Sequence, residues 1–286
     1  MYLLVFIRFY AIMDLEVVNS VVFSPTGTTD RILDAIMSGM KYLLERNLNV
    51  TIEPAAEGMV DRNTLTVFAA PVYGGHVAPL ALERMSRIRG DNAPAIVVVV
   101  YGNRDFEKAA VEFANFVKER GFNVIGAAAF IGEHSYSSDE YPIAKGRPDK
   151  SDLLKAQEFG LRIYAKTGLR DEEPVDVSLL PRPDRSVTSY ARFIAGVMKS
   201  KLKHTPVQKS ALVADPDLCT HCGICASMCP TGAIEAGHEE MTDATKCIHC
   251  CACVKNCPEK IRVFETPYAK LLSENFKERQ EPVFIL

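Results

Sequence analysis

All nine cysteines of this 286-residue chain fall between positions 219 and 257, and they are its most reactive set of side chains. They run as Cys219-x2-Cys222-x2-Cys225-x3-Cys229-Pro230, then as Cys247-x2-Cys250-x2-Cys253-x3-Cys257-Pro258. Thiols this dense spell either a disulfide framework or a metal site. Triplets with a trailing C-x3-C-P are the ligand pattern of paired [4Fe–4S] clusters, in which the fourth cysteine of each run serves the other cluster. By that rule Cys219, Cys222, Cys225 and Cys257 hold one cluster, and Cys247, Cys250, Cys253 and Cys229 hold the other. Zinc is the competing reading, but zinc sites are generally built from two C-x2-C pairs. Cys251 is left over, either as an alternative ligand or redox thiol or, more simply, as a small side chain pointing away. His221 and His249 occupy equivalent positions in the two triplets, as hydrogen-bond donors towards sulfur or as exposed polar filler.

A second chemical signal is the run Ser24-Pro25-Thr26-Gly27-Thr28-Thr29, which follows a predicted strand and opens a predicted helix. Hydroxyls and backbone N–H groups at a helix N-terminus make a phosphate cradle without a cation. An ordinary Ser/Thr-rich helix cap is the plainer alternative. Neither G-x-x-x-x-G-K-[ST] nor G-x-G-x-x-G occurs, which disfavours a P-loop and an integral dinucleotide fingerprint.

The elements that must position these groups follow from periodicity. Residues 16–23, 48–52, 65–70, 95–101 and 124–131 read as strands, and 30–45, 106–120 and 151–166 as amphipathic helices. Strands alternating with helices imply an α/β fold with a doubly wound parallel sheet of about five strands. Ligands of such sheets bind outside the carboxyl ends of the strands. The loops after Phe23, Ala70, Tyr101 and Ile131 are therefore the ones to read. The last is long: it carries Glu133 and His134, either of which could supply a proton, and Lys145 and Arg147, which could bind an anion. Docking of the cysteine region is the rival role for all four.

Composition supports two modules. A hydrophobic content of 48% can fill a sizeable core, and a net charge of −3 disfavours nucleic acid as the main partner. Residues 1–13 are apolar but too few to span a membrane, which takes roughly 20 residues. They lack a basic leader region and a cleavage site, so they read as an extension before Met13 on a cytoplasmic protein. Residues 168–210 form a proline-marked linker with one apolar patch at 190–198. The apolar C-terminus, with Leu271, Leu272 and Phe276 and then Pro282 to Leu286, is expected to pack on the chain's own domains, or else to form a homodimer contact.

The fragments Cys222-Gly223-Ile224-Cys225 and Cys229-Pro230-Thr231-Gly232-Ala233-Ile234 resemble the bacterial two-cluster ferredoxins, over residues 211–264. Residues 14–167 resemble the flavodoxins, whose hydroxyl-rich loop holds the phosphate of FMN. That resemblance implies phosphate binding by Ser24, Thr26, Gly27, Thr28 and Thr29. It places the flavin ring between Pro71-Val72-Tyr73-Gly74-Gly75 and Tyr101-Gly102-Asn103-Arg104-Asp105-Phe106. Two departures stand out. The chain has no tryptophan, so Tyr73, Tyr101 or Phe106 must cover the ring. About twelve residues separate the second and third strands, too few for the usual second helix.

The whole chain resembles the flavodoxin–ferredoxin fusion proteins of anaerobic bacteria and archaea. On that resemblance it has a flavodoxin-like domain at 14–167, a linker at 168–210, a small α+β ferredoxin domain at 211–264, and a helix with an apolar tail at 265–286. Electron transfer between FMN and two [4Fe–4S] clusters is the implied function, with an external redox protein or a small-molecule donor or acceptor as partner. A flavin-dependent reductase of a small substrate, with His134, Glu133 or Tyr136 as proton donor, is the alternative.

Overall fold

The computed structural model describes residues 17–41, 44–169, 171–184 and 186–286, so the extension expected at 1–13 lies outside the described residues. In chain order the first part is β1 (Val17–Val22), α1 (Thr28–Gly39), β2 (Leu44–Asn49), β3 (Gly58–Val60), β4 (Thr64–Tyr73), β5 (His76–Val77), α2 (Pro79–Met85), β6 (Ile88–Gly90), β7 (Ala93–Tyr101), α3 (Ala109–Lys118), β8 (Phe122–Ile131) and α4 (Lys150–Gly168). There follow α5 (Val187–Leu202), β9 (Leu212–Val213), α6 (Ile224–Ser227), α7 (Ala252–Lys255), β10 (Arg262–Val263), α8 (Pro267–Asn275) and β11 (Val283–Ile285).

Five strands pair in parallel in the order β2-β1-β4-β7-β8. This is the 2-1-3-4-5 order of flavodoxin-like doubly wound sheets. Every residue of β7 is buried, as its continuous Ile-Val run requires of a central strand covered on both faces. Side chains alternate along it. Val97 and Val99 join Phe68 and Phe113 on the α3 side, whereas Ile96, Val98 and Val100 join Ile32, Ile36 and Phe159 on the other. The fold is thus α/β with a core on each face of the sheet.

Helices α1 and α4 touch through glycine. A Cβ on Gly160 would stand 1.9 Å from the Ile36 carbonyl oxygen, and one on Gly39 2.1 Å from that of Gln157. Helix α1 stops at Gly39 rather than at the expected 45, where Met40 turns to extended backbone. The next strand then begins at Leu44, and the expected strand at 48–52 overlaps only its end. The sequence hides this strand because it is an edge: residues 46–49 are exposed and carry no apolar alternation.

No helix separates β2 from β4. That stretch holds β3, which pairs in parallel with β6. A short helix, α2, comes instead after β4, its first turn set by Pro79 at a position where the missing N–H costs nothing. The linker helix α5 has no buried residue but packs on α8, where Gly196 gives room for Leu271. The apolar tail is a strand: β11 pairs antiparallel with β8, Phe284 opposite Ala128, and the Phe284 ring rests 5.1 Å from that of Phe159.

Candidate cofactor-binding site

A cavity of about 640 Å³ opens at the carboxyl ends of β1, β4, β7 and β8. This is within the size range of small-molecule and cofactor pockets. Its floor is the turn into α1. Gly27 takes a φ of 76°, which only glycine adopts without strain, and so swings the chain into the helix. Thr26, Thr28 and Thr29 line the cavity, with the Thr26 and Thr28 hydroxyls 3.2 Å apart. As the first two helical residues, Thr28 and Thr29 carry N–H groups with no intrahelical acceptor. Ser24 is not part of this wall. Its hydroxyl accepts from the Asp30 N–H and caps the helix, while the Gly27 N–H donates to the Ser24 carbonyl.

The second wall is the β4–β5 turn, Pro71 to Gly75, in which Gly74 and Gly75 have φ of 62° and 89°. The third comprises Tyr101, Gly102, Arg104 and Asp105. Two expected members of that loop turn elsewhere. Asn103 sends its amide to the carbonyls of Phe276 and Glu278, at 2.8 Å each, and so ties down the chain after α8. Phe106 is buried edge-on to Tyr101, with Arg182 over its ring. Of the three rings expected to cover a flavin, Tyr73 and Tyr101 are therefore the ones that reach the cavity. Burial raises the pKa of both phenols, which stay neutral.

The fourth wall, Gly132 to Tyr136, differs in chemistry from the expectation. His134 packs against Gly102, where a Cβ would come within 2.3 Å of the imidazole. Its Nδ1 accepts from the Tyr136 N–H at 3.0 Å. Burial, with Arg104 and Lys255 nearby, lowers its pKa to about 4, so it is neutral at pH 7. Burial alone would raise the pKa of Glu133. Hydrogen bonds from the Lys255 ammonium at 2.9 Å and the Gly146 N–H at 2.9 Å outweigh that and hold it below the usual carboxylate range. Neither residue is a charged store of protons; Glu133 anchors the cysteine region. Lys145 pairs with exposed Asp139. Arg147 is buried on Asp152 and donates to the Gln280 carbonyl at 3.1 Å. Both cations expected to bind an anion are thus spoken for.

Three further walls were not expected from the sequence. Helix α5 contributes Tyr190, Phe193, Ile194, Val197 and Lys201, α8 contributes Tyr268 and Leu272, and the second cysteine repeat contributes Ile248 and His249. The only sequence signal for α5 was the apolar patch in the linker.

The cysteines surround two smaller cavities. Cys219, Cys222, Cys225 and Cys257 line one; Cys229, Cys247, Cys250 and Cys253, with Cys251 beside them, line the other. Among the described residues no three His, Cys, Asp or Glu side chains converge closely enough for a single metal ion. A quartet around a cavity suits a multi-atom cluster instead. The Ala233 N–H donates to Cys229 Sγ at 3.2 Å, and Arg262 to Cys225 Sγ at 3.6 Å. Cys251 caps α7 at a φ of 59°, buried, with its thiol 3.6 Å from the His249 carbonyl oxygen. His221 Nδ1 meets Glu239 at 3.0 Å, and His249 Nε2 meets the Lys209 carbonyl at 2.8 Å while its ring stacks on Phe264.

Residues 212–235 match the family of 4Fe–4S binding domains, and they include all four cysteines of the first run. The match supports binding of a [4Fe–4S] cluster by this segment. No curated protein matches the sequence. Among solved structures the chain is similar to a flavodoxin from the domain Archaea, at 14% identity and a TM-score of 0.35, over 52% of this chain and 97% of that one. It is also similar to the Flv1 flavodiiron core from Synechocystis sp. PCC6803, at 16% identity and a TM-score of 0.39, over 55% of this chain and 37% of that one. An NADH:FMN oxidoreductase, EMOB, matches at 9% identity and a TM-score of 0.36, over 53% of this chain and 89% of that one. The chain thus spans little more than a third of the flavodiiron core. No helix among the described residues is long and apolar enough to cross a membrane.

Proposed function

We propose that the chain is an electron-transfer protein with FMN in the cavity at the sheet ends and a [4Fe–4S] cluster in each cysteine quartet. One observation carries the reading. Ile248 and His249 line both the large cavity and that of Cys229, Cys247, Cys250 and Cys253. The flavin site and the second quartet therefore share a wall, and the first quartet is the remote one, with Cys222 exposed towards outside partners.

The cavity suits the cofactor. Thr26, Thr28 and Thr29 offer hydroxyls and first-turn amides to a phosphate without a paired cation. Tyr73 and Tyr101 offer ring faces, and Gly74 and Gly75 let backbone approach closely. Tyr190, Phe193 and Leu272 form the outer side and exclude water. A bound flavin takes up two electrons and gives them singly to one-electron carriers, which is chemistry the cofactor supplies. With His134 neutral and Glu133 ion-paired, the two expected proton donors hold no ready proton at pH 7. That favours a carrier, exchanging electrons with an external redox protein or small molecule, over a reductase that protonates a substrate. Anaerobic purification with flavin, iron and sulfide counts and EPR of the reduced protein tests the reading. One FMN and about eight irons per chain are expected. Absence of flavin removes the first half of the proposal, and about four irons removes the second cluster.

A further inference from the structure

Arg262, on β10, is 3% exposed and lies between the two cysteine cavities. It lines the first cavity, and its Nη1 reaches Cys225 Sγ at 3.6 Å and the carbonyl of Glu239. Nη2 donates at 2.5 Å to the Thr242 hydroxyl, and Thr242 lines the second cavity. Nε, fully buried, has no partner.

A buried guanidinium is costly unless an anion answers it. Arg147, also buried, shows the usual solution in its bidentate pairing with Asp152. Around Arg262 the described partners are a carbonyl, a hydroxyl and a thiol. The nearby Glu239 carboxylate faces away, to His221 Nδ1 and the Gly237 N–H, both at 3.0 Å. The anions left to balance the charge are the groups held by the cysteines themselves.

We infer that Arg262 is a positioning residue, the counter-ion shared by both iron–sulfur centres, and that its fixed charge holds the reduction potential of both upward. The inference rests on the two-cluster reading above. Reduction adds one negative charge to a cluster, so a nearby cation favours the reduced form. One guanidinium between two centres acts on both at once.

The test is an EPR-monitored redox titration of the full chain, prepared anaerobically with iron and sulfide counted, for wild type, Arg262→Gln, Arg262→Met and Arg262→Lys. The expected result is full iron loading with both midpoints lowered in the Gln and Met variants and largely restored in the Lys variant. A fully loaded Gln or Met variant with both midpoints unchanged, or with only one lowered, overturns the inference. If the neutral variants do not load iron, loading by Lys alone supports the counter-ion. Failure of Lys as well assigns Arg262 to hydrogen bonding and rejects it. About four irons in the wild-type protein instead removes the two-cluster reading beneath, a result the iron count separates from an unshifted potential.

Discussion

A histidine whose Nδ1 accepts a backbone N–H has only its Nε2–H to offer, and a neutral imidazole is a poor acid. His134 is in that state until the pH approaches about 4. Unfolded, it would titrate near 6.5, so between these values the unfolded chain binds more protons. The stability tied to neutral His134 is complete above pH 6.5 and is lost as pH falls towards 4, by roughly 1–2 kcal/mol once residual screening of a partly buried ring is allowed for. Urea unfolding at pH 7 and pH 4.5 should show this loss, and His134→Gln should reduce it. An unaltered pH dependence in the variant would contradict a neutral His134. Arg147→Ala takes from Asp152, 0% exposed, its bidentate partner and leaves it only the Arg279 guanidinium at 3.5 Å. The expected cost in urea unfolding is up to about 3 kcal/mol, against far less for the double variant with Asp152→Ala.

At the scale of elements, the close approach of α1 to α4 sets where the phosphate loop stands, because Thr28 and Thr29 are the first turn of α1. Gly160→Ala puts a methyl carbon against the Ile36 carbonyl and must part the helices. Overpacking of this kind costs about 1–3 kcal/mol. Thermal unfolding should show the loss, and flavin titration should show weaker binding even where the variant is folded. Strand β11 has a different task. It covers β8, which would otherwise be a bare edge of ten mostly apolar residues. Truncation after Glu281 is expected to lower the melting temperature and to cause self-association visible by light scattering. A truncated chain that stays monomeric and equally stable would show that the edge is protected by something else.

At the scale of the molecule, the two cofactor regions are held together at several separate points. Lys255 on α7 meets Glu133 and the Ser137 carbonyl, Arg84 meets the Pro230 carbonyl, and Asn103 holds the segment after α8. A ring sequence, His134, Tyr136, Phe264 and His249, runs from the large cavity to the second quartet with centroids 4.9–5.3 Å apart. On the proposed reading the order is flavin, second quartet, first quartet, and it predicts unequal consequences for cysteine variants. After photoreduction of the flavin, fast electron transfer to iron–sulfur should persist in Cys222→Ser, which disables the remote centre. It should slow markedly in Cys250→Ser, followed by cluster absorbance. Equal rates in the two variants would reverse or erase the order.

Much of this protein was legible locally. The x2 spacing of the cysteines, the buried run of β7 and the hydroxyls before α1 each put their signal within a few residues, where periodicity and ligand spacing act. Four of the five parallel strands lie where periodicity points, the edge strand β2 begins four residues early, and Thr26, Thr28 and Thr29 line one cavity. What no local pattern shows is who answers a charge or covers an edge. Glu133 lies 122 residues from Lys255, and Asn103 lies 173 from Phe276. A carboxylate in sequence reads equally as acid or anchor until its partner is known, and burial with a lysine beside it decides for anchor. The same holds for Arg147, for Arg262 and for the apolar tail that became a strand. The chemistry was written in residue types and spacing, while the assignment of each charged group and the order of the cavities came only with packing, because both depend on contacts between segments far apart in the chain.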